Sequence, residues 1–182
     1  MGYIKSGLFI SLDGVISEPE TWHFPYFDDQ MGAAVQSMMA NDATLLGRQT
    51  YDDFAAYWPK ADPADPMTAV MNGGRKYVVS TTVTDPEWEN TTAINPTADG
   101  DVAQQIAQLK KDIGLGTTGS AQLVQWLLEQ GLVDELHLLV HPIVVGHGKK
   151  LFADGATVPL KLLSSTTFDS GVLHLVYGGS QG

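Results

Sequence analysis

The sequence predicts one α/β domain in which helices cover a sheet, with an antiparallel hairpin at its C-terminal end. About eight short apolar or alternating segments are interleaved with amphipathic ones along the chain. The 182 residues are 43% hydrophobic and only 17% charged, which suits one substantial core and leaves two cramped. Near the C-terminus two strand-like runs flank Asp169-Ser170-Gly171, a glycine-containing hairpin loop.

The first strand is Tyr3 to Ser11, where Leu8-Phe9-Ile10 predicts burial on both faces and Asp13-Gly14 turns the chain. Tyr26 to Ala40 predicts a helix. Phe27, Met31, Ala34, Val35, Met38 and Met39 recur on a helical period, and Pro25, Asp28 and Asp29 favour the first turn. Ala43 to Leu46 reads as a strand, followed by Gly47 and a short helix from Thr50 to Tyr57. The stretch Trp58 to Pro66 holds three prolines and reads as a loop. Lys76 to Ser80 is a strand because Tyr77-Val78-Val79 are strong strand formers, and Thr91 to Asn95 is a further candidate.

Asp101 to Ile113 carries Val102, Ile106, Leu109 and Ile113 at steps of 4, 3 and 4, a surface helix with one buried stripe that Gly114 stops. Ser120 to Gln130 repeats the pattern with Leu123, Leu127 and Leu128, opening on a hydroxyl cap and closing at Gly131. Glu135 to Val145 is too rich in valine for a comfortable helix and reads as a central strand broken near Pro142. Leu160 to Phe168 and Val172 to Tyr177 form the hairpin.

Lys and Arg number 10 against 21 Asp and Glu, so the formal charge of −11 opposes binding to nucleic acid or to an anionic membrane surface. Any anionic ligand must be held by local chemistry. The absence of cysteine excludes a disulfide scaffold, thiolate zinc, iron–sulfur clusters and cysteine nucleophiles. The start lacks a basic region followed by a long apolar core, and no run approaches the roughly 18 apolar residues of a membrane helix. The chain reads as soluble, unprocessed and cytoplasmic.

Three segments suit chemistry. In Leu45-Leu46-Gly47-Arg48-Gln49-Thr50-Tyr51 a buried strand runs into glycine and a helix, which directs free backbone N–H groups at an anion. Arg48 adds a forked cation and Thr50 a hydroxyl; an ordinary strand-to-helix turn with a solvated arginine is the equal alternative. Gly114-Leu115-Gly116-Thr117-Thr118-Gly119-Ser120 spells the dinucleotide fingerprint, yet a helix rather than a strand precedes its first glycine, which argues against a Rossmann unit. Thr118-Gly119-Ser120 still opens a helix and suits a pyrophosphate. Asp13, at the end of the first strand, faces a ligand crevice or merely serves an Asp-Gly turn, and the neighbouring segment Glu18 to Phe27, with Trp22, His23, Pro25 and Tyr26, covers a flat heterocycle or simply packs.

Other features read as structural. His137 and His141, four apart on a strand, are separated by about 13 Å of rise, too far for one metal. His147 lies between two glycines in a turn, and the Asp52-Asp53 pair and Asp62 to Asp65 lack metal-loop spacing. No metal ligand set is expected.

In their order and spacing these segments resemble the dihydrofolate reductase-like superfamily, and within it the C-terminal reductase domain of the bifunctional riboflavin-biosynthesis deaminase-reductase. Ser11-Leu12-Asp13-Gly14-Val15-Ile16 resembles the first-strand motif, Leu46-Gly47-Arg48-Gln49-Thr50-Tyr51 the Gly-Arg-x-Thr cofactor motif, and Tyr77-Val78-Val79-Ser80 the adenosine-side strand. Thr118-Gly119-Ser120-Ala121-Gln122-Leu123 is similar to the second phosphate turn, and Leu132-Val133-Asp134-Glu135-Leu136 with Pro142-Ile143-Val144-Val145-Gly146 and Gly148 to the late signature. The resemblance implies a three-layer fold with a mixed, mostly parallel central sheet, NADPH as hydride donor and often a homodimer. It implies that Gly47, Arg48 and Thr50 hold phosphates, with Arg48 on the 2′-phosphate, and that Ser80 and Thr81 lie near the adenosine half. Thr118, Gly119, Ser120 and Leu123 would serve the pyrophosphate, Ile16 would border the nicotinamide, and Asp13 would face the substrate.

One departure stands out. Dihydrofolate reductases bind the pterin with a carboxylate at the start of a helix; in the register through Trp22 and Pro25, Phe27 occupies that place, and Asp28 and Asp29 are displaced by one and two residues. A displacement of one residue turns a helical side chain by about 100 degrees, off the pocket wall. The expected activity is therefore NADPH-dependent reduction of a small heterocyclic or carbonyl-type substrate. Asp13 is the first candidate for orienting the substrate or relaying a proton and His23 the second, while Trp22 and Phe27 line the substrate under the lid of Glu18 to Phe27. A non-catalytic nucleotide-binding protein of the same fold and dihydrofolate reductase proper are the alternatives.

Overall fold

The computed structural model describes residues 2–96, 101–152 and 157–179. Eight strands, β1 (Tyr3–Ser11), β2 (Ala43–Gly47), β3 (Lys76–Val79), β4 (Thr91–Ile94), β5 (Gly114–Thr117), β6 (Glu135–His141), β7 (Leu160–Thr167) and β8 (Leu173–Gly179), form one sheet in the order β4-β3-β2-β5-β1-β6-β8-β7. The first six run parallel, and β8 lies antiparallel to both β6 and β7. Among the described residues five α-helices complete the fold: α1 (Asp29–Met39), α2 (Arg48–Tyr57), α3 (Pro66–Gly73), α4 (Val102–Asp112) and α5 (Ala121–Glu129).

The layers follow from the side-chain alternation of the strands. On one face Ile4, Leu8 and Ile10 of β1, Leu45 of β2 and Leu115 of β5 are buried with Ile106 of α4 and Leu123, Val124 and Leu127 of α5. On the other, α1 places Met31 against Leu139, Phe168 and Val172, with Phe9 packed alongside. Next to it, Tyr51 of α2, Met71 of α3 and Trp88 of the segment between β3 and β4 cover Leu46 and Val78. Both faces of β1 are thus covered, as Leu8-Phe9-Ile10 implied. The architecture is three-layered with a mixed, mostly parallel sheet. Among the described residues no helix is long and apolar enough to cross a membrane.

Four local features differ from the sequence expectation. The helix expected from Tyr26 begins at Asp29, because Pro25 closes a 3-10 turn over Phe24–Tyr26 and Asp28, in extended conformation, caps α1 by accepting from the Met31 N–H at 2.8 Å. Phe27 therefore lies outside the helix. The helix expected from Thr50 starts directly at Arg48, with Gly47 as its cap residue. The proline-rich loop ends in an unanticipated helix, α3, which Asp65 caps through the Met67 N–H at 2.9 Å and whose Pro66 occupies the tolerated first position. Finally, the strand expected from Glu135 to Val145 ends at His141, just before Pro142. Gly114 and Gly116 lie inside β5, in line with the argument against a Rossmann unit, and a Cβ at Gly116 would run into the Asn41 side chain.

Candidate functional site

Parallel strands direct all their carboxyl ends to one edge of the sheet, which is where ligand crevices form in α/β proteins. Here that edge gathers residues 12–17 after β1, 47–50 after β2, 80–81 after β3 and 118–120 after β5.

The two glycine turns meet there. The Gly47 N–H donates to the Gly119 carbonyl at 3.1 Å. A Cβ on Gly47 would stand 2.5 Å from Ser120 Oγ and 2.9 Å from Ser120 N, and one on Gly119 would stand 3.2 Å from Thr50 Oγ1. Gly119, at φ 153°, occupies backbone space that favours glycine, and the Gly119–Ser120 peptide is cis. Ser120 caps α5 by accepting from the Leu123 N–H at 3.4 Å. The beginnings of α2 and α5 therefore converge, and with them two sets of unpaired N–H groups and two positive dipole ends. Convergent helix starts of this kind are chemically suited to an anion, in a chain whose net charge is −11.

The flanking residues differ in their availability. Arg48 Nε lies 3.4 Å from Asp52 Oδ2 in a pair whose side chains are 57% and 45% exposed, so the guanidinium is only loosely held. Thr118 and Thr81 are exposed, Thr50 and Ile16 half-buried, and Leu123 buried in the core. Ser80 Oγ accepts from the N–H groups of Thr82 and Val83 at 3.1 and 3.0 Å, so it is engaged in shaping its own turn. A separate groove of about 700 Å³ between α2 and residues 82–88 carries Asp52, Asp85 and Glu87 against Lys60, which disfavours phosphate.

Asp13 stands beyond the end of β1. Its carboxylate accepts from Ser11 Oγ at 2.6 Å, Val145 N at 3.0 Å and Gly146 N at 2.8 Å. These donors, the Ser11 hydroxyl foremost, lower its pKa to about 2. The carboxylate is ionised at neutral pH and has no proton to donate; its visible work is tying the first turn to residues 145–146. Around it Ile16 N donates to Lys149 O and Leu151 N to Gly14 O, at 2.9 and 3.0 Å. An Asp13→Asn variant is expected to exchange the Val145 and Gly146 amides faster than the parent in NMR hydrogen-exchange measurements; equal protection would show that the carboxylate does not hold this loop.

The segment from Glu18 to Phe27 forms an aromatic box over the ends of β1 and β6. His23 stacks on Phe9 at 4.6 Å and lies 4.2 Å from the Phe24 ring and 6.0 Å from that of Phe27. The buried His141 meets Trp22, Phe9 and Tyr26 edge-on at 5.1, 5.6 and 5.8 Å. Burial lowers the pKa of both histidines, only partly opposed at His23 by Glu20 and at His141 by the Leu139 and Ile10 backbone. Trp22 Nε1 donates to Ser17 O at 3.2 Å. Asp28 faces away from the box: its two oxygens take the amides of Met31 and Ser170, and these contacts, Met31 first, depress its pKa.

His137 and His141 are alike in the sequence, and the fold separates them. His137 Nδ1 lies 3.0 Å from His174 Nε2 and its Nε2 2.9 Å from Glu135, in a network on β6 and β8. His141 joins the box because β6 pairs Ser11 with it across the sheet. No local pattern marks that pairing. Among the described residues no three His, Asp or Glu side chains converge as metal ligands.

Known proteins are similar to this chain in sequence and in fold. A family model, the RibD C-terminal domain, matches residues 2–174. The uncharacterised protein YyaP of Bacillus subtilis strain 168 is 33% identical over 142 residues, covering 75% of this chain and 73% of that protein. Among solved structures, a putative riboflavin biosynthesis protein from Shewanella sp. PV-4 superposes with a TM-score of 0.73 at 19% identity, over the whole of both chains. Enterococcus faecalis dihydrofolate reductase, complexed with NADP(H) and RAB-propyl, superposes with a TM-score of 0.62 at 14% identity over 99% of this chain and 98% of that one. The fold is accordingly that of the dihydrofolate reductase-like proteins, and the chain belongs to the RibD C-terminal domain family.

Proposed function

We propose that this protein is an NADPH-dependent oxidoreductase that reduces a small heterocyclic or carbonyl-type substrate, akin to the pyrimidine reductases of riboflavin synthesis, and that it works in the cytoplasm as a homodimer. The observation that carries this is the contact between the two helix starts at Gly47 and Gly119-Ser120. One diphosphate spans such a pair, and a side chain on Gly47 would fill the cradle.

NADPH, when bound, supplies the hydride. The amides at the start of α2 and α5 with Thr50, Thr118 and Ser120 hold its diphosphate, Arg48 the 2′-phosphate, Ser80 and Thr81 the adenosine side, and Ile16 borders the nicotinamide. Leu123 backs the α5 turn from the core. Trp22 and Phe27 enclose the substrate and exclude water, Asp13 fixes the loop across from it, and His23, at the outer side of the box, passes the proton that completes the reduction. No carboxylate stands at the position of Phe27, and Asp28 is spent on its cap, which disfavours dihydrofolate as substrate.

Calorimetric titration tests the reading. NADPH is expected to bind, and Arg48→Ala to weaken NADPH about 10- to 100-fold while changing NADH about twofold or less. Equal losses for the two nucleotides would remove Arg48 from the 2′-phosphate, and no binding of NADPH at millimolar concentration would remove the reductase itself. Tight binding without oxidation in the presence of any acceptor would favour a non-catalytic nucleotide-binding protein, a reading that the missing carboxylate also motivates.

A further inference from the structure

We infer that His141 determines the specificity of the substrate pocket, its Nε2 accepting a hydrogen bond from a neutral N–H or O–H on the substrate ring. This rests on the reductase reading for the identity of the pocket, though not for the binding chemistry. His141 is the last residue of β6 and the cross-strand partner of Ser11, so it sits at the ligand edge beneath the lid. It is fully buried. Its Nδ1 lies 2.8 Å from the Leu139 carbonyl, and since a carbonyl can only accept, the ring proton is on Nδ1 and Nε2 carries a bare lone pair. That nitrogen has no partner, and neither has the buried Nδ1 of His23, whose ring lies 6.2 Å away.

Two orphaned nitrogens in one aromatic enclosure are unusual, because native proteins leave few buried polar atoms unpaired. Trp22 Nε1, at the box, is committed to the Ser17 carbonyl, and Asp28, outside it, to the helix cap. Phe24 and Phe27, which are 64% and 50% exposed, form the outer side of the box, with His23 against both and His141 buried behind it. Neutral imidazoles in a desolvated box suit a neutral donor. A cationic ring loses its hydration in the box and finds two bare imidazole nitrogens there in place of a hydrogen-bonded carboxylate, with Glu20 acting only from outside on His23.

The test uses the full chain, labelled with ¹⁵N-histidine and saturated with NADP⁺, and two planar probes: uracil, neutral with ring N–H groups, and benzamidine, a cation. Uracil is expected to move the His141 Nε2 resonance upfield as the lone pair gains a donor, and benzamidine to leave it in place. His141→Asn keeps a donor near Leu139 but has no atom at Nε2, and should bind uracil about tenfold more weakly; His141→Gln, with its amide near Nε2, should recover most of that loss. NADPH affinity should be unchanged in both. A His141 resonance that uracil does not move up to its solubility limit overturns the proposal, as does a His141→Asn variant that binds uracil normally. Because the wild-type resonance is read directly, misfolding of a variant leaves the proposal open to refutation. Failure of NADP⁺ to bind would count against the reductase reading alone.

Discussion

Gly47→Ala is expected to raise the Kd for NADPH at least about a hundredfold, close to 2.7 kcal/mol. The backbone itself would accept alanine, since Gly47 has φ −73° and ψ 159°. The obstacle is entirely what lies opposite: the new Cβ would stand 2.5 Å from Ser120 Oγ, 2.9 Å from Ser120 N and 3.1 Å from Ser120 Cβ. Two of those three atoms belong to a capping side chain and one to the α5 backbone, so relief requires one helix start to retreat from the other. The Gly47 N–H bond to Gly119 O lengthens with it. Anion binding by convergent amides depends on their aim within a few tenths of an ångström, so a small retreat has a large effect. Calorimetry or quenching of protein fluorescence by NADPH reads the change, and circular dichroism shows that the fold is retained. An alanine variant that binds NADPH within about threefold of the parent would mean that the junction is not the diphosphate site.

Lys76→Met is expected to destabilise the fold by about 3–5 kcal/mol without touching the ligand edge. Lys76 is 2% exposed, unusual for lysine. Its ammonium donates to the carbonyls of Met71 at 2.9 Å, Asn72 at 3.0 Å and Gly74 at 2.6 Å, which are the open carbonyls at the end of α3, and lies 4.3 Å from the Trp88 ring centre. Burial lowers its pKa and Glu89 opposes the shift. Methionine fills the same space and supplies no proton, so three carbonyls near the negative pole of α3 lose their common donor. For a domain of this length the thermal midpoint should fall by about 10 °C. A shift under about 2 °C would show that water replaces the ammonium freely.

Most of the framework was legible in local pattern. The steps of 4, 3 and 4 in α4 and the start of β6 at Glu135 appear in the structure within a residue or so of where the sequence places them, although β6 ends at His141 and leaves Val144 and Val145 outside it. Periodicity reports which face of an element is buried, and burial is what most strongly decides its type. The misplaced boundaries are those at which capping competes with periodicity. Phe27 shares the apolar stripe of α1 but is excluded from the helix by Pro25 and the Asp28 cap, and α3 hides behind prolines that read as a loop until Asp65 is recognised as a cap for Pro66.

The site divides in the same way. The residue types at Gly47, Arg48, Thr118, Gly119 and Ser120 mark candidates for anion binding from sequence, because a glycine before a helix exposes amides whatever surrounds it. By contrast, Gly116 fits the letters of a phosphate loop and proves to be a packing glycine against Asn41, a distinction that rests on a neighbour far along the chain.

By itself, then, the chain determined most of its element types, its acidic charge and its two glycine-bounded helix beginnings, since each depends on residues within a turn or two of one another. Only the tertiary structure decided that those beginnings touch, that Asp13 spends its lone pairs on residues 145–146, and that His141 keeps one bare nitrogen inside an aromatic box. Those outcomes depend on strand order and cross-sheet register, which bring together residues whose separation along the chain carries no local signal.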